Sequence, residues 1–130
     1  MNVQQLLPKD KYDNSNIEKL RQLTDEEIAP VLPALLEWLK DANWPVFDDV
    51  LSVLALHQSA LVPLIISILS SDEKDGIWKY WIISRLLPLF SDENIKAVLS
   101  SVKRIEENPT EGERTEEVNE IAADFLNSIL

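Results

Sequence analysis

The sequence predicts an all-α fold: about three antiparallel helix pairs in a row, closed by a C-terminal capping helix. Three observations lead there. Glycine is scarce, at two of 130 residues, and β-branched runs are short, which favours helices over a sheet. A helical unit also recurs. Trp44-Pro45-Val46-Phe47 overlays Trp78-Lys79-Tyr80-Trp81 at a shift of 34, which lays Leu61, Leu64 and Ile65 on Ile95, Val98 and Leu99. A shift of 33 the other way lays Leu56, Leu61, Pro63, Leu64 and Ile65 on Leu23, Ile28, Pro30, Val31 and Leu32. Such a period belongs to stacked helix pairs, each burying its apolar face against its neighbours. Third, Thr24 with Glu27 and Thr110 with Glu113 read as capping boxes, which mark helix starts.

The elements follow in order. Residues 1–13 are expected as an extended strap, because Pro8, the alternating charges of Lys9-Asp10-Lys11 and Tyr12 suit no helix face. The strap would close the open end of the first unit, with partner recognition as the other reading. A first helix is expected over 15–22, with Asn14 or Ser15 as its N-cap and Ile17, Leu20 and Leu23 at helical spacing. Residues 25–29 make a lead-in turn, and a main helix covers 30–39. Pro30 and Pro33 belong in a first turn, where a missing N–H costs little.

Asn43 caps a helix over 44–56, and His57-Gln58-Ser59 form a short link. The next helix covers 60–70, with Pro63 near its start. A polar turn over 71–76 precedes a helix over 77–87. That helix is apolar nearly all round and is expected at the centre. A helix over 93–106 opens with carboxylates that suit its dipole. Asn108-Pro109 breaks the chain, and a single last helix over 113–129 carries Val118, Ile121, Ala122, Phe125 and Leu126 on one stripe. The units therefore lie near 14–40, 43–70 and 77–106 within one domain.

Composition narrows the function classes. The net charge is −11, from 12 basic and 23 acidic residues. Nucleic-acid binding needs a basic face that displaces counterions, so it is disfavoured, as is an anionic membrane surface. The acidity suits a basic protein partner. No cysteine is present, which removes disulfides, thiolate metal sites and cysteine nucleophiles and fits a cytoplasmic protein. Residues 1–5 lack the basic region and apolar run of a signal peptide. The longest apolar stretch, 60–69, is interrupted by Pro63 and Ser67 and is too short to span a bilayer.

Two resemblances add to this. Asn43-Trp44-Pro45-Val46 through Leu54-Ala55-Leu56, followed by Ala60-Leu61-Val62-Pro63-Leu64-Ile65, resembles one HEAT repeat. Glu27-Ile28-Ala29-Pro30-Val31-Leu32 resembles the opening of the same second helix. The resemblance implies an α-α superhelix that binds partners rather than catalysing. It departs from the family at the link, where His57-Gln58-Ser59 replaces the Asp of the family's Asp–Arg ladder and no matching Arg follows. Leu7-Pro8-Lys9-Asp10-Lys11-Tyr12-Asp13, Leu36-Glu37-Trp38-Leu39, Asn43-Trp44-Pro45-Val46 and Ile77-Trp78-Lys79-Tyr80-Trp81 also resemble a small bacterial family of unknown function, over nearly the whole chain. That resemblance implies a stand-alone helical-repeat protein, with immunity against a secreted toxin as one use. It implies no activity, cofactor or catalytic residue.

The residues that break the repeat are the candidates for function. Asp48 and Asp49 lie together early in a helix, but neighbours on a helix diverge by ~100° and do not aim at one ion. They serve the helix dipole, or one of them pairs with Arg85 or Lys79. Arg85 sits in an apolar helix and needs a partner if buried, with anchoring of a ligand as its other role. Trp44 and Trp78 are repeat equivalents, as are Phe47 and Trp81, which favours packing in the seam between units. Exposure of Trp38, Trp44, Trp78, Tyr80 or Trp81 in a groove is the alternative. His57 stands alone and makes a poor metal ligand. The expected function is non-enzymatic protein binding through Arg85, Lys79, Asp48, Asp49, Trp44, Trp78 and Tyr80, with no metal and no cofactor. A nucleic-acid-binding or DNA-glycosylase-like protein is the alternative.

Overall fold

In the computed structural model, which describes residues 2–129, the chain is all-helical, and the described residues contain no strand. A 3-10 turn, Val3–Leu6, precedes α1 (Ile17–Arg21) and α2 (Asp25–Ile28). The chain then runs through a second 3-10 turn, Ala29–Val31, into α3 (Leu32–Glu37). There follow α4 (Phe47–Leu54), α5 (Gln58–Ile68) and α6 (Gly76–Trp81). The last of these continues as a π-helical segment, Ile82–Leu86, and a 3-10 turn, Leu87–Leu89. The chain closes with α7 (Asp92–Glu107), α8 (Glu111–Thr115) and α9 (Val118–Ile129).

The period read from the sequence reappears in burial. Ile28, Leu61 and Ile95 are all buried, and so are Leu35, Ile68 and Val102. The N-cap positions keep the same spacing, with Thr24 before α2, His57 before α5 and Ser91 before α7. Thr24 and Ser91 each accept a backbone N–H three residues on, and Glu27 completes the box at Thr24. α7 packs along α9 and against α5, α4 takes α1 and α3, and α6 touches α8 and α9. The core runs from Leu20 through Phe47, Leu54 and Ile83 to Val102 and Ala122. Each Leu, Ile, Val or Phe among them contributes about 1.5–3 kcal/mol by leaving water.

Several boundaries move for local reasons. α1 starts at Ile17, after Asn16, because Asp13 takes the Ser15 N–H and hydroxyl and holds 13–15 as a turn. The helix expected over 30–39 is broken into a 3-10 turn and α3, since Pro30 and Pro33 each withhold an N–H. Asn43 caps nothing: its own N–H goes to Asp41, and α4 begins only at Phe47. α5 starts two residues early, so Gln58 and Ser59 belong to the helix rather than the link. The last helix is two helices, α8 and α9, divided at Glu117, whose φ of 60° no helix accommodates. The segment expected as an extended strap forms a 3-10 turn at Val3–Leu6, capped by the Asn2 side chain; it buries Leu6 and Pro8, and the Lys11 carbonyl accepts the Val46 N–H at 3.0 Å.

No single helix among the described residues is long and apolar enough to cross a membrane. The apolar α4 and α5 are bent by 117° at their short link.

Candidate functional site

Two candidates, Asp48 on α4 and Arg85 on the π-helical segment after α6, meet at one junction. Arg85 Nη2 donates to Asp48 Oδ1 at 2.8 Å, and its guanidinium lies 5.3 Å from the centre of the Phe47 ring. Asp48 is 78% exposed and Arg85 40%, so the pair itself contributes about 0–1 kcal/mol. Asp49 points elsewhere, into a cleft of about 220 Å³ with Asn14, Glu18 and Arg21. Asp48 and Asp49 therefore do not act as a carboxylate pair.

The aromatic side chains pack edge-on in pairs. The Trp78 indole N–H donates to the Leu36 carbonyl at 2.9 Å, and the ring is only 8% exposed. Lys40 Nζ covers the Trp78 ring at 4.6 Å. Trp44 stands edge-on to Trp38 at 5.4 Å, and Trp81 contacts both Tyr80 and Phe47 edge-on, at 5.2 and 6.3 Å. Trp44 and Tyr80 are half-buried. Trp78 is thus removed from any partner-facing surface, because its N–H is already satisfied inside the protein.

Lys79 is also removed, for a stronger reason. Its ammonium donates to Glu113 Oε2 at 2.7 Å and to the Ser70 carbonyl at 2.8 Å, and both charged side chains are 1% exposed. Arg104 grips the same carboxylate with two bonds of 2.6 and 2.8 Å and reaches the Leu69 carbonyl. The Thr110 N–H adds a fourth donor, as the capping box requires. Burial alone would raise the Glu113 carboxyl. The hydrogen bonds from Arg104, Lys79 and Thr110, with the Lys79 charge, outweigh it and hold the group at about 2. The network ties α6, α7 and α8 together, and it absorbs Lys79 into structure.

Sequence reasoning missed Glu113 as the partner of Lys79, and Arg104 as the second cation on the same carboxylate. The signal was the Thr110–Glu113 box, which located Glu113 in a first turn but said nothing of its burial. The link residues were missed too. His57 Nδ1 hydrogen-bonds Asp25 Oδ1 across 32 residues. Its Nε2 is a buried polar atom without a partner. Gln58 donates to the Ala55 and Leu89 carbonyls, and its Oε1 accepts from Ser91 N and Asn94 Nδ2. These two neighbours bridge the N-terminal ends of α2, α5 and α7, where an Asp–Arg ladder was absent. Among the described residues no three His, Cys, Asp or Glu side chains are placed to hold a metal ion.

The outer face of the same three capped stretches is a second candidate. Pro30, Pro63 and Ala97 occupy matching positions, as do Pro33, Ile66 and Ser100; all six are exposed and none is charged. α5 carries no charged residue over Gln58–Ile68, in a chain of which 27% is charged. Ile66 is 41% exposed, with Val62 half-buried beside it. α5 thus leaves an uncharged, partly apolar face to solvent.

Fold and surface together define an all-helical domain with an uncharged stripe crossing its capped helices. The chain belongs to the family described as Domain of unknown function (DUF5071), which it matches over residues 6–126. A comparison with curated proteins found no match.

Proposed function

We propose that the protein is a non-enzymatic binding module: a HEAT-like superhelix of three helix pairs whose outer, capped helices hold another protein. The observation that carries this is the uncharged exposed face of α5, continued by Pro30 and Pro33 on one side and Ala97 and Ser100 on the other. Matching burial at 33- and 34-residue intervals supports the superhelix, and the bridges through His57 and Gln58 supply the ties that the usual ladder would provide. A bacterial, cytoplasmic immunity or adaptor protein, facing a basic partner such as a toxin, is the most concrete form of this reading. The net charge of −11 supports it.

The nucleic-acid alternative calls for a positive groove at Lys79 and Arg85. Lys79 is buried on Glu113 and Arg85 rests on Asp48, so neither residue favours it. The test is affinity capture from the source organism with wild-type protein and with Ile66→Arg, read by mass spectrometry. A single protein held by the wild type and lost from the variant is expected. Absence of any specific partner overturns the reading. A toxin gene adjacent to the coding gene would point to immunity.

A further inference from the structure

Cations of the chain itself cover three of its aromatic rings. Lys11 Nζ lies 5.4 Å from the centre of the Tyr12 ring, Lys40 Nζ 4.6 Å from Trp78, and the Arg85 guanidinium 5.3 Å from Phe47. Tyr80 and Trp81 close on one another, and Trp81 also on Phe47. Trp38 and Trp44 have only each other. Their rings stand 5.4 Å apart at 70°, and no cation of the described residues lies over either. Both are half-buried, and Trp78 is the one tryptophan whose indole N–H finds an acceptor among the described residues. The two rings line a cleft of about 340 Å³ with Ala34, Glu37 and Lys40. Rings near a right angle bound a corner with two electron-rich faces, which is how aromatic side chains hold a cation. Glu37 and Lys40 bring opposite charges to this cleft. Lys40 is drawn onto Trp78 and meets Glu37 only through Oε1, at 3.3 Å. Glu37 Oε2 makes no hydrogen bond among the described residues, and the Glu37 side chain is 61% exposed. Asp41, in the turn that leads to Trp44, adds a second carboxylate, one oxygen of which takes the Asn43 N–H.

We infer that this cleft anchors one arginine side chain of a protein partner, its guanidinium stacked in the Trp38–Trp44 corner and hydrogen-bonded to Glu37 Oε2. This rests on the protein-binding reading with a basic partner and names the point at which that partner is held. A guanidinium suits the corner because it is planar, weakly hydrated and always charged, and its forked N–H donors match a carboxylate. An ammonium is more strongly hydrated and has no plane to stack, so lysine is the poorer occupant. The net charge of −11 draws a basic protein near without choosing a place on the surface. The choice falls to the two tryptophans, since buried aromatic and arginine anchors carry most of an interface's binding energy. Lys40 is the competitor: it shares Glu37 and places a like charge beside the incoming guanidinium.

The test titrates the full, ¹⁵N-labelled chain with N-acetyl-arginine amide and follows the indole N–H signals by NMR. The signals of Trp38 and Trp44 are expected to move saturably, while that of Trp81, closed on Tyr80 and Phe47, stays in place. N-acetyl-lysine amide is expected to bind more weakly, and the neutral N-acetyl-norleucine amide not at all. Trp44→Leu should weaken the arginine compound about fivefold. Glu37→Gln should weaken it about threefold, since an exposed ion pair contributes little. Lys40→Met should tighten it by freeing both oxygens of Glu37. Circular dichroism checks that the variants fold, and the exposed Glu37→Gln remains informative if Trp44→Leu does not. Equal shifts from the norleucine compound, lysine binding as well as arginine, or no saturation at Trp38 and Trp44 would each overturn the inference. If affinity capture recovers a partner that Trp44→Leu and Glu37→Gln retain in full, the binding reading stands and only this anchor is wrong.

Discussion

Lys79 Nζ and Glu113 Oε2 meet at 2.7 Å with both side chains 1% exposed, which ties α6 to the first turn of α8 through a single charged contact. Two charges so far from water are costly unless every donor finds an acceptor. Here Ser70 and Leu69 lend carbonyls, and Arg104 and Thr110 complete the carboxylate.

Removing one member should therefore hurt more than removing the pair. Glu113→Gln leaves the Lys79 ammonium buried without its counter-charge, and a loss of about 3–5 kcal/mol is expected. Lys79→Met with Glu113→Met should recover part of that, since Arg104 can turn to water. Urea denaturation of the three proteins measures both steps, and equal losses in the single and double variants would refute the coupling.

The same carboxylate sets an acid limit. Its folded value of about 2 lies below the ordinary 4.5. A depressed acid contributes stability that is complete above the unfolded value and is lost as pH falls through the folded one. The contribution of Glu113, roughly 3 kcal/mol, should thus be whole at pH 6 and drain away between about pH 4.5 and pH 2. The gap between wild type and Glu113→Gln, measured across that range, should narrow as pH falls; a constant gap would contradict the shift.

The two glycines should respond oppositely to alanine. At Gly76 a Cβ would meet Glu116 Cγ at 2.9 Å and the Gly112 carbonyl at 3.1 Å, so α6 and α8 must part. Overpacking of this kind costs about 1–3 kcal/mol. At Gly112 nothing lies within 4 Å, and the residue is helical. Gly112→Ala should stabilise by about 0.5–1 kcal/mol. Thermal melts of both variants give the sign directly.

Glu117 carries the one positive φ among the described non-glycine residues, at 60°. The left-handed conformation costs an L-residue about 1–2 kcal/mol, against roughly 0.5–1 for the extra freedom of an unfolded glycine. Glu117→Gly should raise the melting temperature slightly. A clear fall would mean that the Glu117 side chain contributes more than its backbone strain removes.

Helix content, the spacing of the capped helices and most of the core were legible because they depend on residues close in sequence. Thr24 and Glu27, or Val118, Ala122 and Phe125, declare themselves through three- and four-residue spacing alone. Phe47 and Trp81, matched by the repeat spacing, meet edge-on. The candidate site was less legible. The sequence offered Asp48 or Asp49 for Arg85 without choosing between them, and the structure selects Asp48, whereas Lys79 looks in sequence like any exposed lysine beside two tryptophans.

The period of 33 to 34 residues, the capping boxes and the acidity belong to the sequence itself, since periodicity and composition need no partner to express them. Which charges are buried and which face water was decided only by tertiary structure. Lys79 is inside because Glu113, 34 residues away, is folded back onto it. Lys96 and Lys103 are outside because α7 turns its apolar side to α5 and α9. The energy of a charge depends on its surroundings, and those are assembled from segments that the chain itself keeps far apart.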